Sequence, residues 1–88
     1  MTTRRVTIVN PLGLHARAAA RFVRLAGLFR SRIQVARGER TADGKSILGL
    51  LLLAAPRGTV IDIRADGIDE REALAALGAL IERGFEDP

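Results

Sequence analysis

The chain has 88 residues and no cysteine, no tryptophan and no tyrosine; histidine and lysine occur once each, as His15 and Lys45. Without cysteine there is no disulfide, no thiolate metal site and no thiol nucleophile, so the fold rests on packing alone, as suits a reducing cytosol. The only aromatics besides His15 are Phe22, Phe29 and Phe85. That is too few for the stacking platforms that hold single-stranded nucleic acid. The longest apolar run, Ile47–Ala55, is about half of a membrane span. The opening Met1-Thr-Thr-Arg-Arg leads into no long apolar stretch of the kind a signal peptide carries. These limits predict one soluble, cytoplasmic domain over residues 1–88. A net charge of +4 favours acidic partners of any kind and says little for nucleic acid.

What is present centres on Asn10-Pro-Leu-Gly-Leu-His-Ala-Arg-Ala18. Pro11 and Gly13 turn the chain before His15, and a run of helix formers begins at Ala16. A helix starting there sets the imidazole beside free backbone N–H groups and the positive end of the helix dipole, a socket for a dianion such as phosphate. The same placement disfavours the charged ring and leaves one nitrogen with a free lone pair. That nitrogen suits in-line attack on a phosphoryl group, with the amides of Ala16 and Arg17 and the Arg17 guanidinium holding the equatorial oxygens. A lone histidine is more often a surface or capping residue; the combination of Gly13, helix start and Arg17 raises this one above that background. No second histidine, acid pair or base accompanies it, which speaks against an independent hydrolase.

Along the chain, Arg5–Asn10 reads as a first strand with Val6 and Ile8 on one face. Residues 16–26 form a helix with Ala19, Phe22, Val23 and Ala26 inward and Gly27 at its end. Arg17, Arg21 and Arg24 make a second, basic stripe on that helix. Ser31–Arg37 and the polar Arg40–Asp43 form a hairpin about Gly38-Glu39. Ser46 caps a short leucine-rich helix that Pro56 closes off, though Gly49 weakens it. Thr59–Ala65 is the last strand, with Ile61, Ile63 and Ala65 inward. Asp69 with Glu72 gives a capping-box start to a final helix facing inward through Leu74, Leu77, Leu80 and Ile81, and Gly84 stops it. The order β-α-β-β-α-β-α fits an α+β two-layer sandwich with an antiparallel sheet covered on one face.

Two further motifs carry alternatives. Gly44-Lys45-Ser46 has the ending of a phosphate-binding P-loop, but that motif needs glycine at position 39, where Glu stands, so nucleotide binding is rejected. Ser46 is foremost an N-cap, and a phosphate there is electrostatically tolerated. The leucine run exceeds what one face of a short helix buries, leaving Ile47, Leu48 or Leu51 for a partner.

Asn10-Pro-Leu-Gly-Leu-His-Ala-Arg and Gly44-Lys-Ser-Ile-Leu-Gly-Leu together resemble the two signature segments of HPr, the histidine-containing phosphocarrier family of the bacterial phosphoenolpyruvate-dependent sugar phosphotransferase system. The ending from Ala73 to Phe85 is similar too. The resemblance implies an open-faced β-sandwich, four antiparallel strands with three helices on one face. It implies that His15 takes a phosphoryl group on Nδ1 from Enzyme I and passes it to an enzyme IIA domain, while Arg17 stabilises the phosphohistidine. Ala16, Ala20, Arg21, Arg24, Ile47, Leu48 and Leu51 match the family's docking surface, and Ser46 its regulatory serine, a substrate of HPr kinase/phosphorylase. No cofactor, metal, nucleic acid or membrane insertion is implied, and the expected state is a monomeric carrier, not an enzyme. Ala18 stands where many members have Pro, which is optional in a first helical turn. Gly49 replaces a basic residue found in some members. NPr, the carrier of the nitrogen-related system, shares the histidine motif and is the alternative. A small RNA-binding module and an inactive regulatory paralogue are disfavoured by the missing aromatics and by the presence of both His15 and Arg17.

Overall fold

The computed structural model describes residues 1–87. Four strands, β1 (Thr2–Thr7), β2 (Arg32–Arg37), β3 (Arg40–Asp43) and β4 (Val60–Asp66), form one sheet in the order β1-β4-β2-β3, with every adjacent pair antiparallel. Of three helices, α1 (Ala16–Ala26) follows β1, α2 (Ile47–Leu52) follows β3 and α3 (Glu70–Glu82) follows β4. Because β4 sits between β1 and β2, α1 carries the chain across it, and α2 carries the chain from β3 across β2 to β4. The result is two interlocked split β-α-β crossings. This is the open-faced α+β sandwich that the HPr resemblance implied.

The inward positions explain the layering. Val6, Ile33, Val35, Ile61, Ile63 and Ala65 present one apolar sheet face, packed with Ala18, Ala19, Phe22 and Ala26 of α1, Leu50 of α2, and Leu74, Leu77, Leu80 and Ile81 of α3. The other sheet face is polar and cross-paired. Arg5 stands opposite Asp62 and donates to it at 3.0 Å, and Arg64 stands opposite Gln34 and donates at 3.2 Å. Such opposite-strand pairs each contribute about 0.2–1 kcal/mol.

Two sequence expectations need correction. The first strand is Thr2–Thr7, not Arg5–Asn10. Thr2–Arg5 pair with Asp62–Ala65 although they are polar, because Arg4 lays its guanidinium against Gly78 of α3 and bonds Glu82 at 2.7 Å. Ile8 leaves the ladder but stays buried and pairs with residues 58–59 of the loop before β4. The capping box is absent as well. Asp69 makes no side-chain bond to its own helix; its carboxylate accepts from the Arg30 and Ser31 amides and the Ser31 hydroxyl at 2.8, 2.9 and 2.5 Å. Glu70 accepts the Gly67 amide at 3.2 Å instead.

After α3 the chain makes an uncommon turn. Gly84, Phe85 and Glu86 have φ of +67°, +57° and +62°, three left-handed residues in succession. Glycine adopts this freely, whereas each L side chain there costs about 1–2 kcal/mol. Phe85 is fully buried, contributing about 1.5–3 kcal/mol, which offsets its own strain.

Candidate functional site

Gly13 sets up the entrance to α1. Its φ is +66°, and a Cβ at that position would lie 2.6 Å from the Ala55 carbonyl oxygen and 2.8 Å from Pro56 Cα. Only glycine lets the loop after β1 press this closely against the segment after α2, and Leu14 N then donates to Ala55 O at 2.9 Å. The loop delivers His15 to the N-cap position of α1, in extended backbone (φ −87°, ψ −179°). The imidazole makes no bond to its own helix, so the ring is free for other work. The amides of Ala16, Arg17 and Ala18 occupy the first turn, where no intrahelical acceptor exists, and that turn carries no acid.

Four side chains converge on one carboxylate. Asp87 Oδ2 lies 2.5 Å from His15 Nε2 and accepts from Asn10 Nδ2 at 3.2 Å. Its Oδ1 accepts from Arg17 Nε at 3.2 Å and from Arg21 Nη1 at 3.3 Å. The Asp87 side chain is only 4% exposed, whereas that of His15 remains 23% exposed. The hydrogen bond from His15 holds the Asp87 carboxyl below the usual carboxylate range, against the burial that pushes it up, and Arg17 adds to the lowering. Asp87 is therefore an anion seated in a cradle of imidazole, amide and two guanidiniums.

The expected residues fall into three groups. His15, Arg17 and the first-turn amides of Ala16 and Arg17 come together as expected. Arg21, placed by sequence on an outer docking stripe, is half-buried and turned to the site, bonding Phe85 O at 2.8 Å as well as Asp87. Arg24 stays exposed on α1, and with Arg21 and Arg83 it lines a groove of about 460 Å³ between α1 and α3 that does not include His15. Ser46 caps α2, accepting the Gly49 amide at 3.0 Å, and lies outside the cradle. Along α2, Ile47 is 43% and Leu48 67% exposed, but Leu51 packs partly against the core; Leu52, 67% exposed, takes the outward position. On α1, Ala16 is exposed and Ala20 half-buried. Lys45 donates to the Asp43 carboxylate through its amide and to Phe29 O through Nζ, in line with rejection of a P-loop.

Asn10 and Asp87 were not singled out in sequence. Asn10 sits at the end of the first apolar run and, 3% exposed, holds Gly13 O at 2.8 Å besides touching Asp87. A buried polar residue beside Pro-Leu-Gly was the only available signal.

An open-faced sandwich presenting one partly exposed histidine at a helix N-terminus, within an anion cradle, is an arrangement suited to a carrier of an anionic group. Comparison with known proteins gives the family. The family model "PTS HPr component phosphorylation site" matches residues 2–83. Phosphocarrier protein HPr of Cupriavidus necator is 48% identical over 97% of this chain and 96% of its own length. Phosphocarrier protein NPr of Shewanella violacea is 43% identical over 96% and 92%. The crystal structure of HPr-C-His from Thermoanaerobacter tengcongensis superposes with a TM-score of 0.95 at 41% identity, covering 100% of this chain and 99% of that one. The chain belongs to the HPr family: it is a phosphocarrier of the phosphotransferase system and not an enzyme in its own right.

Proposed function

We propose that His15 is the phosphoryl acceptor, loaded on Nδ1 by phosphoenolpyruvate-charged Enzyme I and unloaded to an enzyme IIA domain in the cytoplasm. The observation that carries this is the position of His15 at the N-cap of α1, its ring unbonded to the helix and flanked by Arg17 and Arg21. In the transfer the Nδ1 lone pair forms the new P–N bond while the bond from phosphorus to the donor breaks, its electron pair returning to the donor. First-turn amides and Arg17 hold the phosphoryl oxygens as charge develops. The exposed Ile47, Leu48 and Leu52 of α2, with Ala16, Ala20 and Arg24 of α1, form the surface that partners cover. One chain holds the whole cradle, so a monomer suffices for the chemistry.

Incubation with Enzyme I and labelled phosphoenolpyruvate tests the assignment. Wild type takes up acid-labile, alkali-stable label, and His15→Ala takes up none. An unlabelled wild type refutes it.

Ser46 is proposed as a second, regulatory site. Its hydroxyl leads into α2 beside the exposed Ile47 and Leu48, so a phosphate there changes the charge of the docking surface without entering the cradle. HPr kinase/phosphorylase and ATP should label wild type and not Ser46→Ala; label that survives the substitution places the modification elsewhere. An NPr-type role shares the same histidine chemistry, and the likeness to the Shewanella violacea NPr supports it as the second reading. Transfer to a sugar-type IIA domain in preference to a nitrogen-type one distinguishes the two.

A further inference from the structure

The carboxylate in the cradle belongs to the chain itself and is delivered there by considerable local structure. Residues 84–86 take three successive left-handed conformations, two of them in non-glycine residues. Strained backbone of this kind persists only where its surroundings over-determine it. Here Phe85 is fully buried, Arg21 Nη1 holds Phe85 O at 2.8 Å, and Asp87 N donates to Gly84 O at 3.0 Å. The turn aims Asp87 at His15, 72 residues away in sequence.

The contact decides which ring nitrogen is the nucleophile. A carboxylate held ionised can only accept, so the nitrogen 2.5 Å from it, Nε2, must donate. In the neutral ring the other nitrogen, Nδ1, then carries the lone pair. Resting on the proposal that His15 accepts the phosphoryl group, we infer that Asp87 is the positioning residue for that reaction. It fixes the Nε2–H tautomer and the ring orientation, and it balances the positive charge that appears on the ring as Nδ1 bonds phosphorus.

The proton on Nε2 does not move in the forward step. Nδ1 uses its lone pair, the donor recovers the electron pair of the bond it loses, and the ring becomes an imidazolium facing Asp87. On unloading, the P–N electron pair returns to Nδ1 and the ring is neutral again, its proton still on Nε2. Asp87 thereby serves both directions, with Asn10 and Arg21 keeping it in place. Arg17 is the more exposed of the two arginines, its side chain 55% exposed against 34% for Arg21, and is the one free to turn to the incoming phosphoryl group.

Asp87→Asn tests the inference, because the amide can donate to Nε2 and so favours the wrong tautomer, as the corresponding substitution does in Ser-His-Asp triads. Two measurements are made on wild type, Asp87→Asn and Asp87→Glu. The first is the tautomer of His15, read from its ring ¹⁵N shifts by NMR at a pH where the ring is neutral, with the same spectra reporting the fold. The second is the rate of labelling by Enzyme I and phosphoenolpyruvate. Wild type should carry the proton on Nε2; Asp87→Asn should shift it toward Nδ1 and label at least about tenfold more slowly. Asp87→Glu should restore both at least in part, and the Enzyme I concentration for half-maximal rate should stay unchanged throughout. If the Asn variant keeps the wild-type tautomer, or labels at the wild-type rate, Asp87 is not the positioning residue. An unlabelled wild type instead overturns the assignment of His15, and the role of Asp87 falls with it.

Discussion

Single residues set the site more than any element does, and Gly13 shows how. The dihedral it adopts and the 2.6 Å approach of its missing Cβ to Ala55 O both demand glycine. Gly13→Ala is expected to destabilise the fold by about 2 kcal/mol, combining left-handed strain with a backbone clash. A denaturant titration should show the midpoint falling with the slope unchanged. The same substitution pushes the His15 loop away from the α2 exit, so phosphoryl uptake by the surviving folded fraction should fall as well. Unchanged stability would mean that the loop relaxes around the added methyl. Asn10 does quieter work at this scale: one amide spans Gly13 O and the Asp87 carboxylate, joining the loop before His15 to the segment after α3.

At the scale of elements, the start of α3 is tied to the segment leading into β2 through an acid that serves no helix cap. Asp69 is held below the usual carboxylate range chiefly by the Ser31 hydroxyl and then by the Arg30 amide. Its folded pKa is depressed, so its stabilising contribution is fully present above the unfolded value of about 4 and is lost as pH falls through the lower folded value. Thermal melts between about pH 6 and pH 2.5 should show wild type losing stability over that acid window, with a smaller loss in Asp69→Asn. A parallel decline in the two proteins would exclude Asp69 as a contributor. The elements themselves were largely legible in sequence. Gly13 and Gly27 bracket α1, and the alternation Ile61, Ile63, Ala65 marks the buried face of β4. Ser46 signals α2, because a short hydroxyl before an apolar run has few other uses. What misled was chemistry with two outlets: Asp69 and Glu72 satisfy the capping pattern, but Ser31, 38 residues earlier, claims the carboxylate. The polar start of β1 gave no alternation to read, since Arg4 spends its charge on α3.

For the whole molecule, the fold class and the place of His15 at the start of α1 could be read from sequence, whereas the cradle could not. His15 and Arg17 are neighbours in the chain and carry their own motif. Asp87 meets Asn10 and Arg21 from 77 and 66 residues away, through a turn that no periodicity announces. Local spacing encodes helices and strands; convergence at that range is a property of topology, here of two crossings that bring the loop after β1 beside the end of α3. The division of the sheet into two faces follows the same topology. One face is sealed by helices, and the other is closed by its own Arg5–Asp62 and Arg64–Gln34 pairs.

That division bears on traffic. With the sheet's outer face cross-paired by its own side chains, His15 and the exposed Ile47, Leu48 and Leu52 lie together with the helix layer. On the roles proposed above, donor and acceptor use the same ground in turn. A phosphoryl group crosses from one to the other only by release of the first, diffusion and capture by the second. The relay so proposed is a matter of alternation, and in it the carrier spends the interval between encounters alone, with its cargo left to its own side chains.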